Sequence, residues 1–405
     1  MFSYLHNLGR LFRAGATPPE AKKSATGAIL AMYHHGQPVW TPRDYASLAR
    51  EGFARNAIAY RCVRMISEAA ASVPWLLYDN GGKLDTHPLL QLLAAPNPAQ
   101  GGVELMEDWY GYLQISGNAY LEAVNVAGEV KELYALRPDR MKVIPGPNGW
   151  PGAYEYTVGG STVRFGNEAG EDTSAILHMA LFHPDNDYYG MSPLEAAAIA
   201  IDIHNAAGSW NKGLLDNSAR PSGALVFKGS GGANTLTEEQ FERLKSELET
   251  TYQGAANAGR PLLLEGGLDW KSMGLSPKDM DFIEAKHVAA REIALAFGVP
   301  PMLLGIPGDN TFSNYQEANR TFWRQTILPL VAKTAKSLTR FVRPHYGPEF
   351  RLWYDLDQID ALHVEREAKW QRIGAATFLT TNEKRASLGY DPIKGGDKSP
   401  VSLAP

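Results

Sequence analysis

His178, His183, Asp185 and Asp187 lie close together in the chain and carry the nitrogen and oxygen donors that a small metal ion would take. Their surroundings argue for a blander role. His178 falls in an apolar, strand-like run, and His183-Pro184-Asp185-Asn186-Asp187 reads as a polar turn. Asp355, Asp357 and Asp360 invite magnesium in the same way, yet three neighbouring carboxylates fit a solvated strand-to-helix junction better. The sequence has no Gly-x-x-x-x-Gly-Lys-Ser/Thr loop, no Gly-x-Gly-x-x-Gly after a strand, no His-Glu-x-x-His and no Gly-x-Ser-x-Gly elbow. No catalytic residue, metal or cofactor is therefore expected. An ATPase or nuclease and a metal-dependent hydrolase on the His178 cluster are the enzymatic alternatives.

The remaining candidates are cations. Arg320, Arg324, Lys333, Lys336, Arg340 and Arg343 lie in one helical stretch, where they could meet phosphate or pair with the carboxylates of a neighbouring chain. The segment before that helix is their opposite. From Val299 to Phe312 there is no Lys or Arg and one acid, Asp309, so this glycine-bearing loop cannot clamp a phosphate.

Around these residues stands a chain of 405 residues, 44% hydrophobic and 20% charged, long enough for two or three compact units. Its formal net charge of -5 makes tight, sequence-independent capture of a polyanion an improbable main property. The single cysteine, Cys62, rules out a disulfide framework within one chain and suits a reducing compartment. No apolar run approaches the roughly 18 residues of a membrane span, and no secretory signal core is visible, so the product is expected to stay in the cell that makes it and away from membrane.

The positioning elements follow from periodicity. Residues 1–40, with Phe2, Leu5, Leu8, Leu11 and Phe12 ahead of Thr17-Pro18-Pro19, read as an arm. A helix from Asn56 is set by Ala59, Cys62, Val63, Ile66, Ala70 and Val73, and Pro74 ends it. Another spans Glu104 to Ile115, stopped by Gly117-Asn118. Short strands are predicted at 75–78, 119–125, 132–136, 141–144, 154–158, 162–165 and 176–179. Ser192-Pro193-Leu194-Glu195 starts a long helix reaching about Ala219, and Ser276-Pro277 starts a second that ends at Gly298-Val299-Pro300-Pro301. Between them lies a small module with strands near 224–227, 262–264 and 270–273. Its helix is announced by a capping box of Thr237 and Gln240 and a Leu236/Phe241 staple, with Phe241, Leu244, Leu248 and Tyr252 as its stripe. A further helix from Ser313 should bend at Pro329 and run toward Val342. A strand and helix over 350–374 and a last helix over 382–389 complete the pattern.

The order of several short motifs resembles one family. Asn56-Ala-Ile-Ala-Tyr60, His87-Pro-Leu-Leu90 with Pro96-Asn97-Pro98, Gly117-Asn-Ala-Tyr120 and Leu136-Arg-Pro138 come first. Ile176-Leu-His-Met179, Tyr189-Gly-Met-Ser-Pro193, Phe297-Gly-Val-Pro-Pro301 and Asn382-Glu-Lys-Arg385 follow. Each is weak alone, and their sequence over 56–397 is similar to portal proteins of long-tailed phages. The Lys23-Ser-Ala-Thr-Gly27 and Trp40-Thr-Pro-Arg43 openings resemble the portals of gene transfer agents.

That resemblance implies a mixed α/β subunit with an α/β wing, a two-helix stem, a small β-α-β clip and a short helical crown. It places an arm at 1–40, wing at 41–190 and 314–345, stem helices at 191–219 and 276–298, clip at 220–275, tunnel loop at 299–313 and crown at 346–405. The implied partners are further copies in a ring, usually of twelve, double-stranded DNA held weakly in the channel, the major capsid protein, the large terminase and the head-tail adaptor. The implied location is the portal vertex of a virion or phage-like particle assembled in a bacterial cytoplasm. Gly305, Ile306, Pro307, Gly308, Asp309, Asn310, Thr311 and Phe312 would face the DNA as a sterically responsive constriction.

Overall fold

The computed structural model describes residues 39–80, 82–166, 174–216, 223–227, 237–252, 268–272, 282–307, 312–390 and 392–398. The predicted arm lies outside them up to residue 38, as do Leu236, the strand near 262–264 and the cap at Ser276-Pro277. Two compact units emerge, one formed by 39–211 with 277–405, the other containing 212–276.

The larger unit opens with α1 (Tyr45–Leu48), a π-helical turn (Ala49–Ala54) and α2 (Ala57–Ala71), then β1 (Trp75–Asp79), β2 (Gly82–Leu84), α3 (Pro88–Ala94) and α4 (Gly102–Ser116). Six strands follow: β3 (Asn118–Val126), β4 (Glu129–Leu136), β5 (Met141–Pro145), β6 (Pro151–Val158), β7 (Ser161–Gly166) and β8 (Ile176–Ala180). α5 (Pro193–Ala196) and α6 (Ala198–Asp216) lead to the smaller unit, where β9 (Gly223–Phe227) pairs antiparallel with β10 (Leu268–Ser272) and α7 (Glu238–Tyr252) lies between them in sequence. The chain then supplies α8 (Phe282–Phe297), α9 (Phe312–Phe322), a π-helical turn (Trp323–Ile327), α10 (Leu328–Tyr346), β11 (Arg351–Tyr354), α11 (His363–Ala375) and α12 (Thr381–Ser387).

Three antiparallel sheets, ordered β11-β1-β2, β4-β3-β8 and β5-β6-β7, belong to the larger unit. The middle one divides two cores because alternate residues of a strand point to opposite faces. Ala119 and Leu121 of β3 join the main cluster with Ala59, Cys62, Val63 and Ile66 of α2, Leu105, Trp109 and Leu113 of α4, and Val331, Ala335 and Leu338 of α10. Tyr120, on the other face, packs with Leu136, Met141 and Ile176 beneath Tyr154 and Phe165 of the third sheet.

Three expectations need amendment. The predicted first long helix is broken at Ala197, which separates the single turn of α5 from α6; Leu194 in that turn is fully buried against Gly52. The strand at 351–354 does not belong to a separate C-terminal part, because Tyr354, Trp353, Leu352 and Arg351 pair with Trp75 to Tyr78 in the first sheet. In the smaller unit the Thr237 and Gln240 capping box forms reciprocally, at 3.1 and 3.3 Å, while Phe241 of the predicted staple is 56% exposed.

The quoted motifs converge on buried amides that staple backbones together. Asn118 Oδ1 accepts from Gly190 N–H (2.8 Å) and bonds His178 Nε2 (3.0 Å), while its Nδ2 donates to the carbonyls of Ser116 (2.8 Å) and Gly190 (3.3 Å). Asn56 caps α2 through Ile58 and Ala59 and donates to Asn205 of α6 at 3.0 Å. Asn97 donates to the Leu133 carbonyl at 3.0 Å, and Asn382 Oδ1 accepts from Ile393 N–H at 2.8 Å. At the Asn118 junction Gly117 (φ 74°) and Gly190 pass so closely that a Cβ on either would run into the other's backbone.

Asn118→Ala strands several buried polar partners at once, so it should lower unfolding stability by about 2–4 kcal/mol, read as a fall in the urea midpoint. Gly190→Ala should do at least as much damage, because the obstacle is backbone.

Candidate functional site: the α8–α10 segment and its supports

α8 ends in a left-handed stop. Gly298 has φ 67°, its N–H bonds the Leu295 carbonyl at 3.0 Å, and Val299 N–H reaches back to Ala294 at 2.9 Å. Thr326, in the π-helical turn, donates its hydroxyl to the Gly298 carbonyl at 2.6 Å, and a Cβ on Gly298 would sit 2.8 Å from that same oxygen. The end of α8 is thereby tied to the element after the loop.

Pro300 and Pro301 lead into a 3-10 turn, Pro301–Leu304, closed by Gly305 at φ 71°. Ile306 then turns inward. It is buried against Ala290 and Ala294 of α8, with Ile58 and Leu304 alongside, so it anchors the segment. Burial of an aliphatic side chain against two alanines is favoured over its exposure to water. Pro307 is exposed, and Arg291 donates to its carbonyl. Gly308, Asp309, Asn310 and Thr311 lie outside the described residues, and Phe312 opens α9.

The irregularity predicted at Pro329 lies just upstream of it. Proline has no N–H to return to the carbonyl four residues back, and the chain widens into the π-helical turn 323–327 while Pro329 occupies the first turn of α10.

Arg320 and Arg324 already have partners within the chain. Arg320 Nη1 lies 2.8 Å from Glu317 and its Nε 3.7 Å from Glu365; Arg324 Nη1 is 3.2 Å from the same Glu365 oxygen. One α11 carboxylate thus spans two arginines, a pairing that competes with both phosphate and a neighbour's acids. Lys333 reaches the Ala180 carbonyl at 2.7 Å, and Arg343 the Phe350 carbonyl at 3.2 Å.

The metal-like residues take separate jobs. His178 stacks on Tyr120 with ring centroids 4.3 Å apart, and burial pushes its pKa down to about 4. His183 Nδ1 accepts from Asp185 N–H at 3.0 Å. Asp355 caps the turn at Asp357, Asp357 pairs with Arg366 at 3.0 Å, and Asp360 is 97% exposed beside His363. Among the described residues no three His, Cys, Asp or Glu side chains come together, and no helix is long and apolar enough to cross a membrane.

What sequence reading missed is the linkage itself: Thr326 to Gly298, Ile306 under α8, and Glu365 across two arginines. None of these has a spacing signal, because each joins elements brought together by packing.

Residues 57–389 match the sequence family described as phage portal protein. The chain belongs to that family. Portal protein of Enterobacteria phage HK97 is 25% identical over 398 residues, spanning 92% of this chain and 86% of that one. A chain in the neck of an empty gene transfer agent particle, computed with C6 symmetry, is 54% identical, covers 91% of this chain and 100% of its own, and superposes with a TM-score of 0.70. The neck of the native particle, computed with C12 symmetry, gives 53% identity over 91% and 100% of the two chains, with a TM-score of 0.67. The portal subunit is a structural, ring-forming component at the neck vertex of a phage or phage-like particle, involved in DNA packaging.

Neutral His178 is favoured by the fold, since its folded pKa lies below the ordinary value of 6.5. Its contribution is complete above about pH 6.5 and is lost as pH falls toward 4. His178→Gln should therefore flatten the decline in thermal stability between pH 6.5 and 4; an unchanged slope would assign that decline to other groups.

Proposed function

We propose that this chain is the portal subunit of a gene transfer agent-like particle, present as a ring of twelve around the DNA channel. The observation that carries this reading is identity above 50% with a gene transfer agent neck chain along nine-tenths of the sequence, against 25% with phage HK97 portal. The larger unit through Tyr354 is the wing, α6 and α8 are the stem, the 212–276 unit holds the clip, 299–311 is the tunnel loop, and α11 with α12 forms a reduced crown. The large terminase and then the head-tail adaptor engage the clip, and the major capsid protein surrounds the wing.

The channel role follows from charge. A duplex that must slide cannot be held by many cations, since each phosphate neutralised releases counterions and adds affinity. The segment 299–312 has no Lys or Arg, and the nearest arginines on α9 and the π-helical turn are occupied by Glu317 and Glu365. Pro307 to Thr311 is the part of the loop beyond the Ile306 anchor and the part that meets DNA.

Replacing 308–311 with a two-residue link in the full chain should leave ring formation intact and reduce the DNA retained in purified particles. Retention equal to the parent would remove the constriction role. A tight, salt-dependent gain in DNA binding from Asn310→Lys is the corresponding expectation for added charge.

A further inference from the structure

β8 forms one edge of the β4-β3-β8 sheet. Its ladder to β3 runs through Ala175, whose carbonyl accepts from Ala123 at 2.9 Å, and Leu181, whose N–H donates to Gly117 at 2.8 Å. Residues 176, 178 and 180 therefore turn their peptide groups outward. Ser174 occupies both groups of Ile176, accepting from its N–H at 3.2 Å and donating to its carbonyl at 2.9 Å. Lys333 takes the Ala180 carbonyl at 2.7 Å. Among the described residues no partner reaches the outward N–H and C=O of His178, which lie between the capped Ile176 and the capped Ala180 carbonyl.

Beside this edge α10 presents Lys333, Lys336, Ser337 and Arg340, which with His178 and Ala180 line a groove of about 420 Å³. All three cations are exposed, and among the described residues no carboxylate stands within ion-pair distance of Lys333, Lys336 or Arg340. Arg320 and Arg324, on the preceding turns, are by contrast paired. The chain as a whole carries a formal net charge of -5, so acids outnumber cations away from this patch. Head-to-tail copies in a ring bring two different faces of the same chain together.

We infer that the groove between β8 and α10 receives an extended, carboxylate-bearing segment of the neighbouring copy. Its backbone pairs with the open peptide group of His178, and its acids meet Lys336 and Arg340. This rests on the ring reading above. A peptide strand lies about 4.8 Å from the strand it pairs with and fits such a groove. A duplex would touch the cations alone and leave the edge unused.

The test is zero-length carbodiimide cross-linking of rings assembled from equal parts of ¹⁴N and ¹⁵N full-length chain, read by mass spectrometry, alongside the K336E/R340E variant. Mixed-isotope links from Lys336 to an Asp or Glu are expected. In the variant those links should be lost, and its rings should dissociate at lower salt while the subunit's melting temperature is unchanged. Intact rings whose Lys336 links are all of one isotope, or variant rings with parental salt resistance, would overturn the assignment alone. Variant rings of parental salt resistance that lose affinity for a short duplex would give the groove to DNA. A parent chain that forms no ring at any concentration would sink both readings together.

Discussion

A buried amide has to find a partner for every group it removes from water, and in this protein that requirement decides where the elements cross. Asn118 is 5% exposed and uses both its oxygen and its nitrogen twice, on backbone or side chains drawn from three separate stretches of sequence. An apolar residue of similar size would tolerate a slipped crossing; an amide does not, because each lost bond leaves a desolvated dipole. Asn56 fixes α2 against α6 in the same manner. The helix entering the smaller unit thus leaves a frame whose geometry is set by hydrogen bonds as well as by packing.

This explains why the family motifs are short and scattered. Gly117-Asn118, His178 and Gly190 are far apart in the chain and form one junction, with the two glycines admitting a backbone approach that no side chain permits. The motifs are joints, and they fix how the elements around them cross.

Most of the elements were legible because their causes are local. The α2 stripe, the Gly117 stop, the strands from β3 to β8 and the Thr237 box are written in neighbouring residues, and the structure places them within a few positions of the reading. α3 was not read as a helix, since its cap is His87, whose Nδ1 accepts from Leu89 N–H at 3.1 Å, in place of a Ser, Thr or Asp. The pairing of β11 with β1 joins strands separated by more than half the chain, and no periodicity signals it. The loop was legible as glycine-bearing and free of cations, but the inward turn of Ile306 depends on Ala290 and Ala294 leaving room beneath it.

Ring-forming subunits that guide a duplex must be rigid where they join and unattractive where DNA slides. The stapled frame supplies rigidity, and the cation-free segment after α8 is the one proposed above to meet the second demand. Native mass spectrometry of the purified full-length protein, with electron micrographs of the same sample, should give a closed twelve-subunit ring with an open axial hole. A stable monomer, or a compact oligomer with no central opening, would contradict the account.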